Sequence, residues 1–241
     1  MFRVYALRAW LQFQRMKDSL SRMHNGGENL RDRPHHVESR ISSVQLCWIE
    51  VRSDLDTDAD ELPLINQFQI NRMLPKRRNQ HIAGRRCITD LIRKRGLNPS
   101  LGKLNLTSDG LRFTCEDDTE FAVSIAHSET LAVAALFDGG KRIGIDCEPL
   151  NRDISDGALQ EFCTPEEIQV LLNESHSMRL HYWMVKEAVG KATGEGMTAS
   201  RRIRVASNEA TLDLIQYSIR SIPEPIMNHQ VVIATLHSDS P

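Results

Sequence analysis

The order in which strand-like and helix-like segments recur constrains this 241-residue chain more than any single residue does. "VQLCWIEV" (44–51) is an apolar run rich in β-formers. A long helical zone follows, "KRRNQHIAGRRCITDLIRKRG" (76–96). In it Ala83, Cys87 and Leu91, with Ile88 and Ile92, form an apolar stripe at helical spacing, and Gly96 ends it. "KLNLTSDGLRFTCEDDTEF" predicts a hairpin turning at "SDG". "AVSIAHSETLAVAALFDGGKRIGIDCEP" predicts three strands, broken at "HSE" and "DGGK". The second half restarts with the strand "RIGIDCEP" and continues with helices at about 155–162, 165–174 and 178–193. It closes with "NHQVVIATLH", whose alternation matches that of "ETLAVAALF". A strand, a long helix and closing strands thus occur twice, which predicts an internal duplication of about 100 residues. The length allows one large domain or two small ones, each able to bury a core.

The division that follows is an N-terminal extension over residues 1–43, a first half over 44–138 and a second half over 139–241. Residues 16 to about 43 are polar and rich in Arg, Asn, Gly and His, which predicts a flexible tether, with the fold starting near Val44. Arg3, Arg8 and Arg15 interrupt the apolar patches of the first 17 residues. No signal peptide and no membrane-spanning helix are expected there.

Apolar residues make up 40% of the chain and charged residues 26%, the composition of a soluble globular protein. A net charge of −2 gives no general reason to expect nucleic-acid binding, so any basic site must be local. The five cysteines (47, 87, 115, 147, 163) are odd in number and form no C-x-x-C pair. They suit buried free thiols in a reducing cytosol rather than a disulfide framework, and the expected location is cytoplasmic.

Chemistry concentrates in two stretches of the second half. In "GIDCEP" (144–149), Asp146 and Glu148 stand at i and i+2 on one strand face, with Ile145 and Cys147 on the other. Paired carboxylates flanked by apolar residues repel each other and lose solvation, and a hard cation such as Mg²⁺ relieves both costs. In "WMVKEAVGKATGEGM" (183–197), Trp183, Glu187 and Lys191 share one helix face and Lys186 lies at its edge. Glu187 supplies a third carboxylate, and Lys186 and Lys191 supply charge for phosphate oxygens, the equipment of phosphoryl-type transfer. Read separately, the plainer reading is favoured for each stretch: an exposed carboxylate pair at a strand end, and a solvated helix with one Glu–Lys pair.

Together and in this order, "GIDCEP" and "WMVKEAVGKATGEG" resemble the 4′-phosphopantetheinyl transferases of the surfactin/enterobactin type, whose signature is roughly G-[IV]-D-x-E followed by W-x-x-K-E-A-x-x-K. The resemblance covers residues 44–241. "FCTPEE" (162–167) between the two stretches is also similar to the family, yet it is fully explained as a helix start, with Thr164 as N-cap, Pro165 at N1 and Glu167 closing a capping box.

The resemblance implies an α+β fold of two similar α/β halves related by pseudo-twofold symmetry, with coenzyme A and Mg²⁺ in the cleft between them. The implied reaction moves 4′-phosphopantetheine from coenzyme A to a serine of an acyl or peptidyl carrier protein and releases 3′,5′-ADP. By position, Asp146, Glu148 and Glu187 would hold Mg²⁺, and Glu187 would also act as the base. Lys186 and Lys191 would contact phosphate oxygens, while Trp183 packs to fix the helix. "KRRNQHIAGR" (76–85) is similar to the family's basic helix, with Arg77 and Arg85 as the match for the residues that grip the 3′-phosphate. His127 in "SIAHSE" matches a histidine that reaches the coenzyme A phosphates. A pseudodimer of this kind implies a monomer.

Two departures stand out. Ala126 precedes His127 where the family often has Ser or Thr, and no lysine stands in "SDGLRF" (108–113), where the expectation is that Arg112 substitutes. Two other readings remain open at this level: a homologue that binds coenzyme A or a carrier without catalysis, and a different Mg²⁺-dependent phosphotransferase. Against the latter, the chain has neither a GxxxxGK[ST] P-loop nor a kinase-like glycine loop.

Overall fold

The computed structural model describes residues 34–37, 44–53, 64–138, 141–222 and 225–237. The expectation of a flexible segment over residues 1–33 and 38–43 falls outside them. One element precedes the expected start of the fold. Strand β1 (His35–Val37) pairs antiparallel with β2 (Val44–Glu50), setting His36 opposite Cys47. Composition had placed these residues in the tether. Their pairing is tertiary, with His35 stacked on Trp48 at 4.3 Å between ring centroids, and propensity does not register it.

Beyond β2 come the short helix α1 (Gln67–Ile70) and the long helix α2 (Pro75–Lys94). Pro75 sits at the first helical position, where a missing N–H costs nothing, and Gly96 takes the left-handed conformation just past the end (φ 74°). The predicted stripe is the buried face: Ala83, Cys87, Ile88, Leu91 and Ile92 are wholly inaccessible. The hairpin β3 (Lys103–Thr107) and β4 (Gly110–Thr114) turns through Ser108 and Asp109 as expected. Strands β5 (Glu120–His127), β6 (Leu131–Phe137) and β7 (Ile143–Pro149) follow.

Helices α3 (Asp156–Phe162), α4 (Pro165–Leu171) and α5 (His176–Thr193) come next. Ser155 and Ser175 cap α3 and α5, and the Thr164–Glu167 capping box starts α4. Strands β8 (Ile203–Val205), β9 (Glu209–Leu212), β10 (Ile215–Ser221) and β11 (His229–Leu236) complete the described chain.

Two antiparallel sheets result, ordered β1-β2-β6-β5-β4-β3 and β7-β11-β10-β9-β8. Period-two alternation sends each strand's side chains to two cores. In β6, Ala132, Ala134 and Leu136 meet α2, while Leu131, Val133 and Ala135 meet the second sheet. In β11, Val231 and Ile233 meet the first sheet, while Val232 and Ala234 lie under α5. The order of layers is therefore helix, sheet, sheet, helices: an α+β architecture in which each sheet carries one long helix on its outer face.

Strand β7 is the hinge of this arrangement. Ile143, Ile145 and Cys147 enter the core between the sheets, and the Ile145 N–H donates to Ser124 Oγ of β5 at 2.9 Å. Gly144, Asp146 and Glu148 therefore face α5. The five cysteines are free thiols, four of them buried. Among the described residues no helix is long and apolar enough to cross a membrane.

Candidate active site

Gly144 sets the depth of the site. A Cβ there would stand 1.8 Å from the Ala188 carbonyl oxygen, so only glycine lets β7 run this close beneath α5. One pleat further along, Asp146 meets the next turn of the helix. Lys191 Nζ donates to Asp146 Oδ1 at 2.8 Å and lies 3.8 Å from Glu187 Oε2. The Asp146 side chain is 6% exposed, and its second oxygen, Oδ2, is buried with no hydrogen-bond partner. An orphaned carboxylate oxygen is expensive to bury.

Burial raises the Glu148 and Glu187 carboxyls above the ordinary glutamate range, and the Asp146 charge raises both further. Burial works against the Lys191 ammonium, but Asp146 and Glu187 outweigh it and hold its pKa above the ordinary lysine value. The sequence reading missed Arg152. It donates to Glu148 Oε1 and lies over the Trp183 ring, 4.8 Å from the centroid. Trp183 also meets Phe162 edge to face at 5.0 Å, as expected of a residue that packs the helix. The signal for Arg152 was its place four residues after Glu148, which is visible only once the strand is known to end in a turn.

A divalent cation fits this donor set in chemistry. Two glutamates of raised pKa, Glu148 and Glu187, accompany Asp146, whose buried Oδ2 lacks a partner, and hard oxygen ligands suit Mg²⁺. Their oxygens do not all converge within 4.8 Å of one another. Arg152 on Glu148 and Lys191 on Asp146 answer the negative charge instead.

The basic group lies beside the acidic one. Arg77 Nη1 is within hydrogen-bonding reach of the His127 ring, joining the first turn of α2 to the end of β5. His127 is pushed down to about 4 by burial first, then by the Arg77 and Lys191 charges. The hydrogen bond from Ile145 to Ser124 ties β7, which carries Asp146, to β5, which ends in His127. His81, one turn of α2 beyond Arg77, belongs to the same group. Its pKa is also lowered to about 4, by burial and by Arg85 and Arg77. Burial lowers the Arg85 pKa, and its Nε and Nη1 are buried without a partner. Two cationic side chains, two neutral imidazoles and unused buried N–H donors make a receptor for a multiply charged anion.

Two expectations fail. Lys186, assigned to phosphate, is wholly buried and points the other way. Its ammonium donates to Glu167 Oε1 (3.1 Å) and Oε2 (2.9 Å) and to the Ser200 and Ile203 carbonyls (2.8 and 2.9 Å). Each residue rotates the helix direction by about 100°, so Lys186 faces the α4 side while Glu187 faces β7. Glu167 is thus cap and counter-ion at once. Arg112, expected in place of the missing lysine, is buried and donates to the Lys141 carbonyl at 3.4 Å. Ala126 sits in the core between the sheets, on the strand face opposite His127.

Residues 142–229 match the model of the 4′-phosphopantetheinyl transferase superfamily. The chain is also similar to the 4′-phosphopantetheinyl transferase HetI of Nostoc sp. (strain PCC 7120), at 29% identity over 157 residues. That match covers 61% of this chain and 64% of the relative, so the chain spans less than two thirds of that protein's length. Residues 142–229 contain Asp146, Glu148, Glu187 and Lys191. Over residues 142–229 the chain is thus similar to the 4′-phosphopantetheinyl transferase superfamily.

Proposed function

We propose that this protein is a 4′-phosphopantetheinyl transferase that moves phosphopantetheine from coenzyme A to a serine of an acyl or peptidyl carrier protein. One observation carries the reading: a buried acidic group on β7 and α5, with an orphaned oxygen on Asp146 and Lys191 paired to it, adjoins a basic group on α2 and β5 with unused donors on Arg85. Coenzyme A offers a pyrophosphate and a separate 3′-phosphate, the two anions such a pair of groups would take.

Arg85, Arg77 and the neighbouring imidazoles of His81 and His127 bind and orient the 3′-phosphate. Asp146, Glu148 and Glu187 are the residues that would hold Mg²⁺, which when bound neutralises pyrophosphate oxygens. Glu187, its carboxyl raised by burial, accepts the proton of the carrier serine. The serine oxygen forms a bond to the phosphorus that bears pantetheine, the phosphorus–oxygen bond to 3′,5′-ADP breaks, and 3′,5′-ADP leaves with the electron pair. Lys191 offsets the negative charge that gathers on the transferred group. Lys186 takes no part. It holds α5 in register so that Glu187 and Lys191 face β7.

The test is the intact mass of an apo acyl carrier protein, and of an apo peptidyl carrier domain, after incubation with the protein, coenzyme A and Mg²⁺. The expected result is a gain of one phosphopantetheine that EDTA abolishes. Tight coenzyme A binding with no gain on either carrier identifies a non-catalytic binder. Absence of both overturns the assignment of the site.

A further inference from the structure

Away from the site just described, β1, β2 and α2 bring together three side chains of metal-binding type that the proposed function does not use. His36 and Cys47 are direct partners in the antiparallel β1–β2 pair, so their side chains project from the same face. That face carries α2, which places Asp90 above them. His36 Nε2 lies 2.6 Å from Asp90 Oδ2, and the imidazole nitrogen, the Cys47 sulfur and the carboxylate oxygen all lie within 4.8 Å of one another. Cys47 is wholly buried beneath the pair, while His36 and Asp90 are about one-third exposed. The Cys87 thiol of α2, also wholly buried, donates to the Ala132 carbonyl at 3.8 Å.

We propose that His36, Cys47 and Asp90 form a Zn²⁺ site with its fourth position open to water. One nitrogen, one sulfur and one oxygen are zinc donors, and the sulfur sets the group apart from the all-oxygen set around Asp146, which suits Mg²⁺. A tetrahedral zinc spaces its ligand atoms about 3.3–3.7 Å apart. The His36–Asp90 contact opens slightly and the Cys47 sulfur closes by about 1 Å, within reach of side-chain rotation. On binding, Cys47 releases its thiol proton to solvent and His36 presents Nε2 unprotonated. The ion ties a three-residue edge strand to the longest helix across β2, and the site owes nothing to the transferase reading.

The experiment uses the full chain, stripped with chelator, desalted and supplied with Zn²⁺ alone in the presence of excess Mg²⁺. Native mass spectrometry is expected to show one retained Zn²⁺ per chain. Co²⁺ in its place is expected to give the intense near-ultraviolet band of a thiolate ligand. His36→Ala, Asp90→Asn and Cys47→Ser should each weaken Zn²⁺ binding by more than about a hundredfold, since even outer-shell losses cost 10–100-fold. Cys163→Ser should leave it unchanged. Circular dichroism checks that each variant is folded, and the two surface variants, His36→Ala and Asp90→Asn, carry the test should Cys47→Ser fail to fold. No retained Zn²⁺ in the folded wild type overturns the proposal. So does retention undiminished in the variants, or a Co²⁺ spectrum without the thiolate band.

Discussion

Replacing Lys186 separates the structural reading of the helix motif from the reading by resemblance. Its ammonium has four acceptors within 3.1 Å, two of them the oxygens of Glu167 and two main-chain carbonyls. The Glu167 side chain is only 13% exposed, so Lys186→Ala strands a mostly buried carboxylate and two carbonyls at once. Breaking a buried pair by removing one partner costs about 3–5 kcal/mol, a large part of the 5–15 kcal/mol that holds a domain folded. For a chain of this length each kcal/mol lowers Tm by about 2–4 °C, so the expected drop is about 6–20 °C. Lys186→Met, which keeps the apolar stem, should lose nearly as much. Adding Glu167→Gln to it should recover part of the loss by removing the stranded charge, though the capping box weakens.

Thermal unfolding followed by circular dichroism measures this directly, with coenzyme A KM determined below the lowest Tm. The structural reading requires the stability loss with KM for coenzyme A nearly unchanged in the folded fraction. A variant melting within about 2 °C of wild type but binding coenzyme A several-fold more weakly would refute it and return Lys186 to the phosphates.

Three further outcomes are expected. Asp146→Asn keeps the volume and one acceptor for Lys191 but removes the charge, so carrier modification should fall by at least about a hundredfold in kcat and lose its response to added Mg²⁺ while Tm shifts little, read by intact mass and by melting. Arg85→Ala should weaken coenzyme A more than dephospho-coenzyme A, by about tenfold in relative Kd from titration calorimetry; equal loss for both ligands would remove Arg85 from the 3′-phosphate. His127 ionises near 4 in the fold against 6.5 when unfolded, so between those values the unfolded chain binds more protons. Its contribution is fully present above pH 6.5 and is lost as pH falls towards about 4. The apo protein should therefore melt progressively lower across that window, His127→Gln should lessen the slope while His81, also lowered to about 4, supplies the remainder, and coenzyme A should lessen it by stabilising the imidazolium.

Much of this was legible because periodicity is local. The stripe from Ala83 to Ile92, the strand alternation of β6 and β11 and the Thr164–Glu167 cap each depend on residues a few positions apart. Asp146, Glu148 and Glu187 were legible as types, with strand parity placing the first two on one face. The direction of Lys186 was not, because it depends on which side of α5 carries α4 and which carries β7. Arg152 and His81 were missed for the same reason: their neighbours come from other elements. Strand β1 escaped because three residues in a polar stretch carry no pattern until β2 pairs with them.

What fixes the site is a set of close backbone approaches. A Cβ at Gly190 would stand 2.3 Å from the Gly196 carbonyl oxygen, so the chain folds back tightly after α5. At Gly110 it would stand 2.9 Å from the Lys191 carbonyl oxygen, and at Gly194 2.5 Å from that of Thr107. The tip of the β3–β4 hairpin therefore rests on the last turn of α5, and Asp109 holds Arg142 at the entrance to β7 at 2.5 Å. Elements of the first sheet brace the helix that carries Glu187 and Lys191. Elements of the second carry the acids that depress the need for solvent around Lys191. The basic group, Arg77, His81, Arg85 and His127, comes wholly from α2 and β5, and the acidic group wholly from β7 and α5. The first half of the chain thus supplies a basic group, and the second supplies three carboxylates with Lys191 and Arg152 paired to them, so an anion proposed to span both groups would need the two sheets packed together.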